Sequence, residues 1–250
     1  MKKLCLILAV VVLTPVLANA QSSGSFSYST TGNNFTGCTL SSNGAISGGY
    51  QCQSSCTIDS LGVSTCVPQS GECMGTAVAG IKSNSGSGNL FVVRPSAVVG
   101  LLTDVMVSSK QSGSSTGGVS SSALAGVDFQ VSVTGPGNPA VIPSTAVTYD
   151  SRYVQISTNL FQALATQCLA IDGGCFLTLN ESTVSAHSFD FFVTNLSTGV
   201  YTVTTTWKDT TAGTGISQSL ACVGPLNMSV QQNKVYSFNK PGSVIPITTP

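Results

Sequence analysis

"SAHSFDFFVTNLSTGVYTVTTTW", Ser185 to Trp207, holds the only histidine of the chain, His187, and its reading decides the fold. Phe189, Phe191 and Val193 share one parity, Ser188, Asp190 and Thr194 share the other, and Phe192 is the one apolar exception. Further on, Tyr201, Val203 and Trp207 fall together, against Thr202, Thr204 and Thr206. A period of two, with one aromatic face and one hydroxyl-bearing face, belongs to strands buried on one side only. The stretch reads as two strands joined through residues 195–199, in one layer of an antiparallel β-sandwich with a wet outer side.

His187 has the parity of Phe189 and Phe191, which predicts a place at the edge of the core. Ser185 shares that face, but two residues along a strand is about 6.6 Å, beyond the roughly 2.6–3.2 Å that a nucleophile and its base require. Asp190 points to the opposite face. A local Ser-His-Asp unit is therefore not expected, and no catalytic residue is assigned.

The same alternation recurs outward from this stretch. Val99, Leu101, Val105 and Val107 share a face on which Thr103 is the only polar member, and Val127, Phe129, Val131 and Val133 alternate with Asp128, Gln130 and Ser132. These two strands suggest a hairpin with a long Ser/Gly-rich loop. Pro and Gly in "TGPGNP" break the chain at residues 134–139, "RYVQIST" gives another strand, and Leu226, Met228 and Val230 mark a late one. One segment differs: in "NLFQALATQCLA" Leu160, Leu164 and Cys168 recur at helical spacing after Asn159, a suitable N-cap, and before Gly173 and Gly174. The expected fold is all-β, an antiparallel sandwich of immunoglobulin-like or jelly-roll-like type, with one short helix.

The first residues fix the compartment. "MKKLCLILAVVVLTPVLANAQ" has two lysines, an apolar run and a small-residue site before Gln21, the pattern of a secretory signal peptide over residues 1–20. The run is too short to span a bilayer. Without Lys2 and Lys3, the 9 basic groups become 7 against 9 acidic ones, a formal charge of −2. That balance excludes a basic footprint for nucleic acid or for a membrane surface. With only 7% of residues charged, Ser, Thr and amide groups must carry solubility.

Once Cys5 leaves with the signal, eight of the 9 cysteines remain: Cys38, Cys52, Cys56, Cys66, Cys73, Cys168, Cys175 and Cys222. An even set in an exported chain reads as disulfides. A zinc site on Cys52, Cys56, Cys66 and Cys73 would need reduced thiolates outside the cell. Five cysteines precede residue 80 and three follow residue 160. Both numbers are odd, so complete pairing requires at least one bridge between the two regions. Cys168 and Cys175 are the natural local pair, which leaves Cys222 as the late end of the crossing bridge. The organisation expected is a signal over 1–20, a Cys-rich and loop-rich region over 21–82, and a β-sandwich domain over 83–250, with "KSNSGSGN" at the boundary.

No motif for phosphate, dinucleotide or calcium is present. Gly113-Ser-Ser115-Thr-Gly117 matches a nucleophile elbow in letters but lies in a Ser/Gly tract, without the flanking strand and helix that elbow needs. Asp104, Asp128, Asp150, Asp172, Glu181, Asp190 and Asp209 are scattered, and no spacing singles out a pair of them. Sequons stand at Asn34, Asn180, Asn195 and Asn227.

Leu196-x-x-Gly199-x-Tyr201-x-Val203 resembles the tyrosine corner of immunoglobulin-like sandwiches, in which a Tyr hydroxyl ties back to the upstream backbone. The whole stretch is also similar to segments of secreted bacterial β proteins. Val203 stands where antibody-type domains carry a cysteine, so the resemblance implies architecture without the usual inter-sheet bridge. Fold does not carry function with it. The expected role is non-catalytic: structural, adhesive or binding work on an extracellular protein or glycan, with structural parts for Tyr201, Trp207 and His187 and no cofactor. The rival readings are a carbohydrate-binding module, with Tyr149, Tyr153 and Tyr236 as candidate sugar platform, and a secreted hydrolase built on His187 or a carboxylate pair.

Overall fold

The computed structural model of the protein describes residues 25–30, 37–58, 63–69, 73–84, 89–108, 120–157 and 175–234. In chain order its strands are β1 (Phe26–Thr30), β2 (Thr39–Leu40), β3 (Ile46–Ser47), β4 (Tyr50–Ile58), β5 (Ser64–Gln69), β6 (Met74–Ser83), β7 (Asn89–Ser108), β8 (Ser120–Thr134), β9 (Ala140–Ile142), β10 (Val147–Ser157), β11 (Phe176–Ser188), β12 (Phe191–Thr194), β13 (Gly199–Thr214) and β14 (Ile216–Lys234). The described residues are all-β, with no helix among them. The signal expected over residues 1–20, the helix expected over residues 159–170, and Cys168 lie outside them.

Two long strands form the spine. β7 and β14 run antiparallel from Asn89↔Lys234 to Met106↔Ile216, with a register shift where Gly224 and Pro225 interrupt β14. β4 and then β5 extend this sheet beyond the first half of β14, and β1 pairs with its second half. On the other side β11 covers the end of β7, while β12 and β9 continue from its beginning. A second sheet has the order β10-β8-β13-β6, and β2 with β3 makes a small separate hairpin.

Alternation decides what each strand buries. From Phe91 to Val107 the odd-numbered residues of β7 are buried, Phe91, Val93, Val99, Leu101, Val105 and Val107 fully so. Val99 and Leu101 pack with Val127, Phe129 and Trp207 of the four-stranded sheet and Val223 and Leu226 of β14, Phe91 and Val93 with Tyr201 and Val203, and Val105 and Val107 with Ala123, Val154 and Ile156. Thr103 is the polar member of this face, as its parity predicts, and its hydroxyl has no partner. Phe191 and Val193 are buried and Phe192 is exposed, again by parity, whereas Phe189, expected inward with them, is exposed because it lies outside the ladder between β11 and β12.

Two expected pairings do not form. The strands around residues 98–107 and 127–133 belong to different sheets: β7 lies in the larger sheet and β8 in the smaller. The chain likewise changes sheets between β12 and β13, so residues 195–199 bridge two layers where one layer was expected. Alternation fixes which face a strand buries and leaves open whether its neighbour lies beside it or opposite. Two half-buried strands are satisfied by either arrangement.

Tyr201 secures that crossing. Its ring is fully buried and meets Phe91 edge-on, with ring centroids 5.2 Å apart. Its hydroxyl accepts the Ser197 N–H at 2.7 Å and has the carbonyls of Pro136 and Ser197, each at 2.7 Å, to donate to. The one phenol oxygen therefore joins the turn after β12 to the turn after β8.

The Cys-rich segment is woven into both sheets. β6 pairs with β13 along its length, and Lys82 and Ser83, expected at a boundary, complete that strand. Cys52–Cys73 and Cys56–Cys66 are local bridges, and Cys38–Cys222 joins positions 184 residues apart. Cys175 is disulfide-bonded as well. Around the Cys38–Cys222 bridge Ile46, Leu102 and Leu220 form a small second core on the outer side of the larger sheet. Gly49 is obligatory there: its φ is +63°, and a Cβ would lie 2.6 and 2.7 Å from the two sulfurs.

Tyr201→Phe removes the hydroxyl's bonds to the Ser197 and Pro136 backbone and is expected to cost about 0.5–1.5 kcal/mol, whereas Tyr201→Ala, which also empties the ring's space, costs about 3–5 kcal/mol. Urea denaturation midpoints check both values. Two small, equal shifts would contradict the corner's role. Replacing Cys38 and Cys222 together by Ala removes the longest of the described cross-links and is expected to destabilise by about 2–5 kcal/mol. Replacing Cys56 and Cys66, which close a short loop, is expected to cost less in the same melt.

Candidate functional site

The chemistry-bearing residues gather along the seam where β10, an edge of the smaller sheet, meets β11. Pro95 creates the opening. β11 and β12 pair with β7 in one register, Ser188↔Ser96 before the gap and Phe191↔Val93 after it, with Phe189 and Asp190 out of the ladder between them. Phe189 falls opposite Pro95, which has no N–H to offer a partner strand. Tyr149 of β10 fills the gap, its hydroxyl donating to the Pro95 carbonyl at 2.7 Å. Burial pushes its phenol pKa far up, opposed by a hydrogen bond from the Phe189 backbone. Asp190, opposite Arg94, takes the guanidinium in two contacts of 2.6 and 2.7 Å. That hydrogen bond, more than the bare charge, holds the Asp190 carboxyl below its usual range.

His187 pairs across the sheet with Ala97 and stands at the rim of the interior, partly buried, its ring centroid 6.4 Å from that of Tyr149. Contrary to the spacing argument, Ser185 reaches it: Oγ lies 2.6 Å from His187 Nε2. The roughly 6.6 Å step applies to backbone positions. Side chains on one strand face lean along the strand, and an imidazole is long enough to close the remainder. Asp150 of β10 completes a trio, with Oδ2 3.7 Å from the same Nε2. Its other oxygen accepts the Ser151 N–H at 2.8 Å. Beyond them Arg152 donates to Thr183 at 3.1 Å and lies 3.7 Å from Glu181.

What the trio can do follows from which ring atom each partner addresses. A nucleophilic triad places the serine on one imidazole nitrogen and the acid on the other, so that the acid fixes the tautomer and orients the ring. Here Ser185 and Asp150 address the same nitrogen. Neutral His187 can accept the serine hydroxyl on Nε2. A proton on Nε2 would be drawn to Asp150 and Ser185 alike, and no described residue bonds Nδ1 to hold the ring. The arrangement is a polar tie between the edges of the two sheets.

The remaining candidates separate clearly. Trp207 is buried, as its parity predicts, with its indole N–H unpartnered. Tyr149 is excluded as a sugar platform, because its ring stacks on Phe129 inside the core with centroids 4.1 Å apart. Tyr153 is 60% exposed, and Tyr236 lies outside the described residues, as do Gly113 to Gly117, Asn34 and Asp172. Among the described residues no group of three or more His, Cys, Asp or Glu stands close enough to hold a metal ion.

Two features escaped the sequence reading. Phe26 and Tyr28 of β1 are 63% and 72% exposed and lie side by side, with centroids 6.4 Å apart. Their shared parity was a readable signal, though it suggested burial as readily as display. Asp209 continues the inward parity of Tyr201, Val203, Thr205 and Trp207, so it too could have been found by counting. It is 4% exposed, and neither carboxylate oxygen has a hydrogen-bond partner. Its backbone N–H is bound to the Cys73 carbonyl, which fixes the residue beneath the Cys52–Cys73 bridge. Burial alone pushes its carboxyl up to about 8.

No family model, curated protein or solved structure matches this chain.

Because the folded state holds the Asp209 proton to about pH 8 while the unfolded chain releases it near 3.9, unfolding becomes easier as pH rises across that interval. Asp209→Asn removes the titration. Its advantage over the parent is expected to be small at pH 4 and to reach about 2–4 kcal/mol by pH 8 in urea melts. A parent and variant with parallel pH profiles would place the carboxyl in water.

Proposed function

We propose that the chain is an exported, non-catalytic β-sandwich of immunoglobulin-like type that does adhesive, structural or binding work outside the cytoplasm. Several observations support the architecture: two antiparallel sheets with a common interior, and a buried Tyr201 whose hydroxyl ties two turns together. The three described disulfides are bonds that persist in an oxidising compartment. They agree with a signal over residues 1–20.

The convergence of Ser185 and Asp150 on one nitrogen of His187 carries the non-catalytic reading. A working serine hydrolase spends its acid on the far nitrogen, where it holds the imidazole ready for proton transfer. In this chain the acid competes with the serine instead.

The test is an activity screen of the disulfide-intact protein on ester, peptide and glycoside substrates, run beside Ser185→Ala and His187→Ala. No turnover above buffer is expected from any of the three, and both variants are expected to stay folded with a modest stability loss of about 1 kcal/mol, the net value of a hydrogen bond. Turnover by the parent that disappears in His187→Ala would overturn the reading.

A further inference from the structure

The outer side of the larger sheet is covered unevenly. One half lies under β2 and β3 and the Cys38–Cys222 bridge. On the other half the pairings align a straight row of outward side chains across five strands: Ile142↔Phe192, Phe192↔Val92, Val92↔Gln231 and Gln231↔Phe26. Ile142, Phe192 and Phe26 are 54%, 43% and 63% exposed, and Gln231 is exposed between them. Two residues along, Arg94↔Ser229 and Ser229↔Tyr28 form a second row that ends in the Arg94–Asp190 pair. Four strand spacings make the strip about 19 Å long, and two rows make it about 7 Å wide between backbones.

From this strip we infer that the open outer face between β1 and β9 binds a neutral polysaccharide chain laid across the strands. The dimensions weigh against a second protein: with its side-chain borders the strip offers about 200–300 Å², where a stable partner needs about 800 Å² per side. An extended peptide would recruit a sheet edge, because the backbone groups under this face are already spent in the ladder. Charge weighs against nucleic acid, acidic glycans and anionic lipid, since the strip's only cation, Arg94, is already held bidentately by Asp190. What remains displayed is a set of apolar rings, Phe26 and Tyr28 at one end and Phe192 near the other, with the Gln231 amide between them. Rings cover the C–H face of a pyranose, and the amide and the paired ions can bond the hydroxyls at its rim. The inference rests on the binding role proposed above and gives it a ligand class.

The experiment is calorimetric titration of the disulfide-intact chain with cellohexaose, chitohexaose, xylohexaose and maltohexaose, with polyuronate and heparin as charged controls. At least one neutral oligosaccharide is expected to bind, with little change between about 50 and 500 mM salt. Phe26→Ala, Tyr28→Ala and Phe192→Ala are each expected to weaken it about tenfold or more. Gln231→Ala, which removes no ring, should also weaken it, and near-ultraviolet circular dichroism should match the parent in every variant. The inference fails if no neutral oligosaccharide binds, if binding survives the ring substitutions, or if only the charged polymers bind with loss in salt. It fails equally if the parent is a dimer that Tyr28→Ala turns into a monomer, which would make the face a contact between copies. Absence of binding leaves the non-catalytic reading intact. A bound oligosaccharide that is cleaved, with cleavage lost in His187→Ala, overturns that reading and leaves this one standing.

Discussion

Every strand of the larger sheet is anchored to the ladder between β7 and β14. These are the two longest strands, and each has one side given wholly to the other. Their remaining sides are shared out in halves: β4 and β1 divide β14, and β11 and β12 divide β7. The buried parity of both strands supplies most of the larger sheet's share of the interior that the smaller sheet closes. A polar substitution on that parity would strike two sheets at once, whereas one on the outer parity would be felt on a single side.

Division into halves also explains where polar chemistry collects. A strand shared by two short partners has a gap between them, and Pro95 widens the gap by withholding an N–H. Tyr149 takes the Pro95 carbonyl there, and Arg94 and Asp190 pair with each other beside it. Ser185, His187 and Asp150 lie on the same flank, where two sheet edges approach without ladder bonds. Side-chain hydrogen bonds there take the place of backbone ones, a structural reason for polar residues at a site that carries a hydrolase's letters.

Faces were legible in the sequence, and partners were not. The inward sides of β7, β8 and β13 follow from counting alternate residues, down to Thr103 as the polar member. The crossing bridge at Cys222 follows from the parity of two cysteine groups. Which strands lie side by side depends on contacts between residues far apart in the chain, and a period of two is silent on that point. For the same reason Asp150, 37 residues before His187, could not be foreseen beside it. The Ser185 contact was missed because distance was counted between backbones, while the hydrogen bond is made by side-chain tips. Phe26 and Tyr28 show the remaining limit, since an aromatic at alternate positions marks a face without saying whether water or protein lies against it.

β14 is the last described strand of the chain, yet it lies in the middle of its sheet, bound to β7 more than a hundred residues earlier. Until it emerges, β1 has no partner strand, β4 has only β5, β7 has one bare side, and Cys38 waits for Cys222. Such long-range closure is slow. In a chain built this way the larger sheet is completed only after β14 has been made. The oxidation that links Cys38 to Cys222 can come no earlier than that strand, which carries Cys222.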